Sequence, residues 1–424
     1  MKFQMQFKNY TTPNPNAVIL FIDMNSYFAS CEQQINPRLR GKPIGVCGGN
    51  SNGVIIAPSI EAKACGVKTG MRFNEAKSIC PDIVAVNPKS SVYRQFHKEI
   101  MQVLRKYSDD VIPKSIDEAV VNLTEYRYIY PRPEDLALKI KADIRQDVGD
   151  WLRCSIGIAP NTFLAKLATD LQKPDGLVRI TPENIDTILA TLELIDLPGI
   201  GDRWAIRLKK AGIRTPLELR YAPASVLKKI MGVLGYYWSY RLHFAEVDFY
   251  TNGYKSMSAV RTLSGSQRNN PQVLQEIFLS LCMKLESRLV QHHVFCRQIN
   301  FMCSYQNHSE WHVPIRFQQP LQDGTDMYHH LYERIQLEQT KQGFPIFHND
   351  LRTIGVAAHD FITDQNIQYE LFDDKIRKDT LRKTVYGIKE SYGREKIIKA
   401  VELREEQVVS DIIGFGSVKD MYEH

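Results

Sequence analysis

The chain has 424 residues, 43% hydrophobic and 24% charged, with a formal net charge of +6. This composition belongs to a globular protein of three or four domains, and no stretch approaches the roughly 20 apolar residues that a bilayer crossing needs. The mild basic excess leans toward a polyanionic partner.

Eight cysteines (Cys31, Cys47, Cys65, Cys80, Cys154, Cys282, Cys296 and Cys303) show no CxxC spacing. They read as buried free thiols rather than as a zinc site or a disulfide framework. The opening residues lack the apolar core of a signal peptide, so the expected location is cytoplasmic, with no membrane partner.

The first informative run is AVILFI, residues 17–22, which stops abruptly at Asp23. It predicts a fully buried central strand that delivers a carboxylate at its C-terminal edge. A helical pattern follows from Ser26. Residues 45–70 are Gly-rich, with strand-like pieces and one helical piece at 59–65, and predict a small separate lobe. Residues 111–123 predict a hairpin bending at Ser115–Glu118. A helix is expected over 134–148, a buried strand over 153–158 and a helix over 162–171.

At Leu197 the sequence LPGIGDRWAIRLKKAG gives a tight turn, then a basic helix, then a glycine that stops it. A looser version precedes YYWSYRL at Met231–Gly232, and this helical stretch should end near Asp248. From 255 to 363 the order strand, helix, strand, strand, helix, strand predicts a split βαβ, ferredoxin-like unit. Residues 364–424 are charged and predict a tail with one or two short helices.

Asp23 and the pair Asp117–Glu118 are carboxylates on sharply bounded strand edges. Converging from two neighbouring strands, they would hold two divalent cations of the kind that clamp the attacking and leaving oxygens of phosphoryl transfer. Magnesium, a hard ion that binds few carboxylates plus substrate phosphates, suits them. Each also has a plainer reading, Asp23 as a helix cap and Asp117–Glu118 as a solvated turn.

FIDMNSYFASCE (21–32), SIDEA (115–119), IGIAPNTFLAKLATDLQKPDG (156–176) and LPGIG (197–201), in that order and spacing, resemble the Y family of translesion DNA polymerases. The resemblance runs from Val18 to Thr363. It implies an α+β, multidomain right-hand polymerase: ferredoxin-like palm (17–27 and 91–180), small fingers (28–90), helical thumb with a helix-hairpin-helix (181–248), and ferredoxin-like little finger (255–363). The implied activity is template-directed, lesion-bypass DNA synthesis of the SOS type, with low processivity and no proofreading.

By that resemblance Asp23, Asp117 and Glu118 are the catalytic, metal-binding carboxylates for two Mg2+ ions, and the Met24 carbonyl completes one shell. Tyr27, Phe28, Lys63 and Lys173 fall at nucleotide-binding positions, with Phe28 as the ring under the sugar that excludes ribonucleotides. DinB-type members usually carry Tyr-x-x-Arg where this chain has Ile60 and Lys63, which is closer to UmuC-type members. Gly199, Gly201 and Arg203 would contact DNA through the hairpin turn, and Lys255, Arg261 and Arg297 through the little finger.

In the tail, Gln368, Leu371 and Phe372 resemble the bacterial sliding-clamp-binding peptide. The implied partners are primer-template DNA, dNTP, the clamp and accessory SOS-type subunits. Two other readings stay open on these residues: a non-catalytic DNA- and clamp-binding scaffold of the same fold, and a helix-hairpin-helix repair glycosylase or nuclease.

Overall fold

The computed structural model describes residues 12–48, 53–248, 254–343, 345–363, 375–392 and 397. They fall in two compact units that divide between 251 and 252.

In the first unit, strand β1 (Ile19–Met24) is buried at every position, as its apolar run demands, and extends one residue beyond Asp23. Helix α1 (Tyr27–Ile35) follows, then β2 (Ile44–Gly48), β3 (Val54–Pro58), α2 (Ile60–Ala64), α3 (Phe73–Ile79) and β4 (Val84–Val86). The long amphipathic α4 (Ser90–Leu104) leads into the hairpin β5 (Val111–Pro113) and β6 (Glu118–Asn122). Helix α5 (Pro133–Asp143) comes next. It was expected to run to 148; instead 144–148 form one wider π turn, ended by Gly149. Strand β7 (Cys154–Ala159), α6 (Thr162–Leu171) and β8 (Leu177–Arg179) complete a five-stranded sheet in the order β5-β6-β1-β7-β8.

The first four of those strands are ordered as in a ferredoxin-like unit, with β6 lying between β1 and β5. Close packing of α6 on the sheet requires Gly157, where an added Cβ would lie 2.0 Å from the Ala165 carbonyl oxygen. Asn161 starts α6 by accepting the Leu164 N–H at 2.8 Å, and its amide donates to the carbonyls of Arg241 (2.7 Å) and Ala245 (3.0 Å). One side chain thus caps a helix and ties it to the helical segment that follows.

Strands β2, β3 and β4 form a separate sheet, in the order β3-β2-β4, over a small core of its own that includes Ile55, Phe73 and Ile83. The glycine-rich stretch predicts a lobe over 45–70; the observed one also takes in α3 and β4, which complete its core and its sheet. The helical part comprises α7 (Ile185–Ala190), α8 (Asp202–Lys210), α9 (Pro216–Tyr221), α10 (Ala224–Met231) and α11 (Val233–Leu242). Its core is continuous with the main sheet: Phe21, Phe163, Leu208 and Trp238 belong to one buried cluster.

The second unit contains β9 (Ser256–Thr262), a short α12 (Gly265–Arg268), α13 (Pro271–Gln291), β10 (Val294–Tyr305), β11 (Glu310–Leu321), α14 (Gly324–Gln342) and β12 (Leu351–Thr363). The sheet order is β11-β10-β12-β9, all antiparallel neighbours. The split βαβ is present as β9-α13-β10, but the strand inserted between its members is β12, the fourth, where a ferredoxin-like sheet has the third. The expected ferredoxin-like order is thereby corrected, because β10 and β11 pair as a hairpin at the edge and leave the gap to β12.

Helix α15 (Lys375–Tyr392) has 18 residues, longer than the short helices expected in the tail. It is anchored by buried Arg382, which bonds Asp379 at 2.7 Å and Asp323 at 3.1 Å. Among the described residues no helix is long and apolar enough to cross a membrane. All eight cysteines are free thiols, but Cys65 is exposed, a correction to the buried set; it ends the short α2, where a turn of chain faces outward.

Candidate active site

Strands β1 and β6 pair in a register that sets Asp23 directly opposite Glu118. The Met24 N–H donates to the Asp117 carbonyl at 2.9 Å, so the hairpin bend is locked to the end of β1. Within the bend, the Ser115 hydroxyl donates to Asp117 Oδ1 at 2.6 Å and reaches Glu118 Oε2 at 3.2 Å. Behind it, buried His97 lies 2.8 Å from the Ile116 carbonyl through Nδ1. The three predicted carboxylates are therefore gathered at one edge of the sheet.

Burial raises the Asp117 carboxyl, and neighbouring Glu118 and Asp23 add to the shift against the Ser115 hydroxyl. The cluster calls for positive charge, and lysines supply it. The Lys166 ammonium contacts Asp23 and lies 2.7 Å from Glu118 Oε1, while Lys173 lies 2.9 Å from Asp23. Burial works against the Lys166 charge, but Asp23 and Glu118 outweigh it and hold the ammonium above the usual lysine range.

Among the described residues no three acidic, His or Cys side chains approach one another closely enough to ligate a common ion. The ammonium of Lys166 stands between two of the acids. The donor set nevertheless fits a hard divalent cation, being three carboxylates with a backbone carbonyl at Met24, already drawing cations to the same edge.

A cleft of about 300 Å³ opens beside these groups, with Asp23, Asp117, Ser26, Phe28, Lys63 and Lys173 in its wall together with β3 residues 56–58. Ser26 takes a left-handed conformation (φ 48°) that turns the chain from β1 into α1. Its hydroxyl oxygen is buried in the cleft wall with no hydrogen-bond partner among the described residues. Helix α1 thus presents its N-terminal end, carrying no acidic residue in its first turn, to the cleft.

Lys63 reaches in from α2, its ammonium pushed below the usual lysine range by burial and by Lys173. Two like charges held together beside a buried hydroxyl and a helix N-terminus suit a polyanion. Asn25 holds the turn that carries Lys173: its Oδ1 accepts the Asp175 N–H at 2.7 Å and its amide donates to Ser155 at 3.1 Å. Tyr27 and Phe28 are both buried on α1, with Phe28 stacked on Tyr93.

The other predicted residues lie elsewhere. Gly199 has φ 94°, and Gly201 immediately precedes α8, whose start has no side-chain cap. Arg203 is exposed on α8, and Arg207 stacks on Trp204 at 4.9 Å. In the second unit, Lys255 is exposed just before β9, Arg261 is half-buried on β9 opposite Ile354, and Arg297 is exposed on β10. Gln368, Leu371 and Phe372 lie outside the described residues.

Sequence reasoning missed Lys166 and Asn25. For Lys166 a signal existed: in LAKLATDLQK it shares a helical face with Asp170 and Lys173, at i, i+4 and i+7.

Residues 22–170 match the impB/mucB/samB family and residues 254–371 match the C-terminal domain of that family. DNA polymerase IV of Pelotomaculum thermopropionicum is 31% identical over 394 residues, 91% of this chain and 95% of that protein. The chain belongs to the Y family of DNA polymerases. Its enzyme class is that of a DNA-directed DNA polymerase, on the DinB-like side of the family, so Ile60 and Lys63 are a local departure.

DNA polymerase IV 1 of Bacillus subtilis is 29% identical over 426 residues, 97% of this chain and 99% of that one. Among solved structures, a chimeric Y-family DNA polymerase superposes with a TM-score of 0.70 at 24% identity, over 82% of this chain and 100% of the other. At that identity the likeness speaks for the fold, an α+β right-hand polymerase.

Proposed function

We propose that this polymerase extends a primer 3′ end past damaged template bases, adding deoxynucleotides by two-metal-ion phosphoryl transfer at the cleft beside Asp23, Asp117 and Glu118. The observation that carries the reading is the register of β1 on β6, which sets Asp23 opposite Glu118 with Asp117 adjacent, at the rim of a cleft that also holds Lys63 and Lys173.

Asp23, Asp117, Glu118 and the Met24 carbonyl would hold two magnesium ions, which when bound supply Lewis-acid and charge-neutralising chemistry at the reacting phosphate. The chain's own groups do the rest. Lys63 and Lys173, with the N-terminus of α1 and the Ser26 hydroxyl, bind and orient the triphosphate. Phe28, with Tyr27 beside it, floors the sugar and leaves no room for a 2′-hydroxyl.

The 17–27 and 91–180 segments serve as palm, 28–90 as fingers, 181–248 as thumb and 255–363 as little finger. Gly199 and Gly201 let backbone N–H groups approach a DNA phosphate, with Arg203 adding charge, while Lys255 and Arg261 do so from the little finger. Contacts of this kind ignore sequence, as a template-copying enzyme requires. Low processivity, absence of proofreading, a cytoplasmic setting and SOS-type partners complete the reading and rest on the family resemblance. Gln368, Leu371 and Phe372 are proposed to bind the sliding clamp.

The test is primer extension by the purified chain with magnesium on undamaged and abasic templates. Extension on both supports the reading. Base release or strand cutting of damaged duplex without nucleotides would overturn it in favour of a repair glycosylase or nuclease. DNA binding with no extension would overturn it in favour of a scaffold.

A further inference from the structure

Phe28 and Glu32 are one turn apart on α1 and share the face that packs on α4. Tyr93 of α4 lies across both. Its ring stacks on Phe28 with centroids 4.6 Å apart and planes 19° from parallel, and its hydroxyl donates to Glu32 Oε1 at 2.7 Å. A second hydrogen bond runs from the Tyr27 hydroxyl to the Tyr93 carbonyl, also 2.7 Å. Tyr93 is fully buried, and Glu32 is 1% exposed. The half-exposed Lys89 ammonium lies 3.5 Å from Glu32 Oε2.

A carboxylate in such a place is a poor way to gain stability, because an apolar side chain of similar volume would pack there at no desolvation penalty. What a carboxylate does give is direction: a charge-assisted bond fixes the phenol along one axis and so fixes the tilt of its ring. That ring is the surface against which Phe28 rests, and Phe28 also lines the cleft. The chain of contact therefore runs from Glu32 through Tyr93 to Phe28 without touching the carboxylates or the lysines of the site.

We propose that Glu32 is a positioning residue for sugar selection, its carboxylate orienting Tyr93 and Tyr93 holding Phe28 in the plane that excludes a 2′-hydroxyl. This rests on the reading of Phe28 as the floor of the sugar. Without the bond, the Tyr93 ring gains freedom to rotate, Phe28 follows it, and space for the extra hydroxyl opens.

The experiment measures kcat and KM of the full chain for a deoxynucleoside triphosphate and the matching ribonucleoside triphosphate, in wild type, Tyr93→Phe, Glu32→Leu, Glu32→Gln and Phe28→Ala. Tyr93→Phe and Glu32→Leu are expected to lower the deoxy-to-ribo ratio of kcat/KM about tenfold, mainly through a smaller ribonucleotide KM. Glu32→Gln keeps a carbonyl acceptor for the phenol and should stay within about threefold of wild type.

Tyr93→Phe keeps the ring and the stack, so it decides the matter if Glu32→Leu does not fold. A ratio unchanged in Tyr93→Phe while Phe28→Ala lowers it overturns the proposal and leaves the sugar contact standing. Activity lost equally on both sugars marks a merely structural role and also overturns it. A ratio unchanged in Phe28→Ala overturns the reading of Phe28 itself, and the proposal with it.

Discussion

Asp23 of β1 and Glu118 of β6 face each other across the sheet, and the Lys166 ammonium lies against both carboxylates, 2.7 Å from Glu118 Oε1. A cation is thus already at home between two acids that the sequence places far apart. Lys166 and Lys173 share Asp23, so two of the three carboxylates of the acidic edge are paired with side chains of the protein itself.

Asp117→Ala is expected to reduce nucleotide addition about a thousandfold or more, equivalent to ~4 kcal/mol of transition-state stabilisation. Its fold should survive, because Asp117 is a crowded carboxylate whose neighbours Glu118 and Asp23 repel it. Single-turnover primer extension checks the first statement and a thermal melt the second.

Lys166→Met removes the charge between Asp23 and Glu118 and leaves two carboxylates facing each other. In chelator the variant should be ~1–3 kcal/mol less stable than wild type, a partly buried pair broken on one side. Added magnesium should then stabilise the variant more than wild type, since the cation binds the folded site. Melting curves with and without magnesium read this directly, and equal magnesium responses would reject it.

Lys173→Ala should raise the deoxynucleotide KM about tenfold with a smaller change in kcat, as expected for a group that holds the triphosphate in ground and transition states alike. Steady-state kinetics separates the two. A fall confined to kcat would place Lys173 at the reacting atoms instead.

Burial pushes the His97 imidazole from 6.5 down to about 4, against the opposing effect of its bond to the Ile116 carbonyl. The unfolded chain therefore takes up the proton first as pH falls. The stabilisation from neutral His97 is complete above pH 6.5 and is lost progressively down to about 4, amounting to at most ~3 kcal/mol. His97→Gln, whose amide can still donate to Ile116, should flatten the urea midpoint between those two pH values.

Replacing Leu371 and Phe372 together by Ala should weaken binding to the sliding clamp at least about tenfold if the pair fills an apolar pocket. A pull-down or surface-binding assay against purified clamp measures it, and unaltered affinity would remove that role.

Local chemistry made much of the site legible. The apolar run that ends at Asp23 and the bend SIDEA each mark an element boundary by residue type alone, and α6 spans the predicted 162–171. Glycine content likewise announced a small lobe, though not its full extent, and residue periodicity announced the alternation of strands and helices in the second unit. The 144–148 turn was not legible, because its residues continue a helical pattern while the Gly149 that follows ends it.

By itself the sequence determined which side chains stand at the ends of buried strands and which helices follow them, since a strand or helix writes its period into its own residues. Only the tertiary structure decided which of those ends meet. The register of β1 on β6, the insertion of β12 between β9 and β10, the lysine between Asp23 and Glu118, and the Tyr93 hydroxyl on Glu32 join residues far apart in the chain. Periodicity says that a face is covered; packing chooses what covers it, because each such pairing depends on the shape and charge of both partners at once.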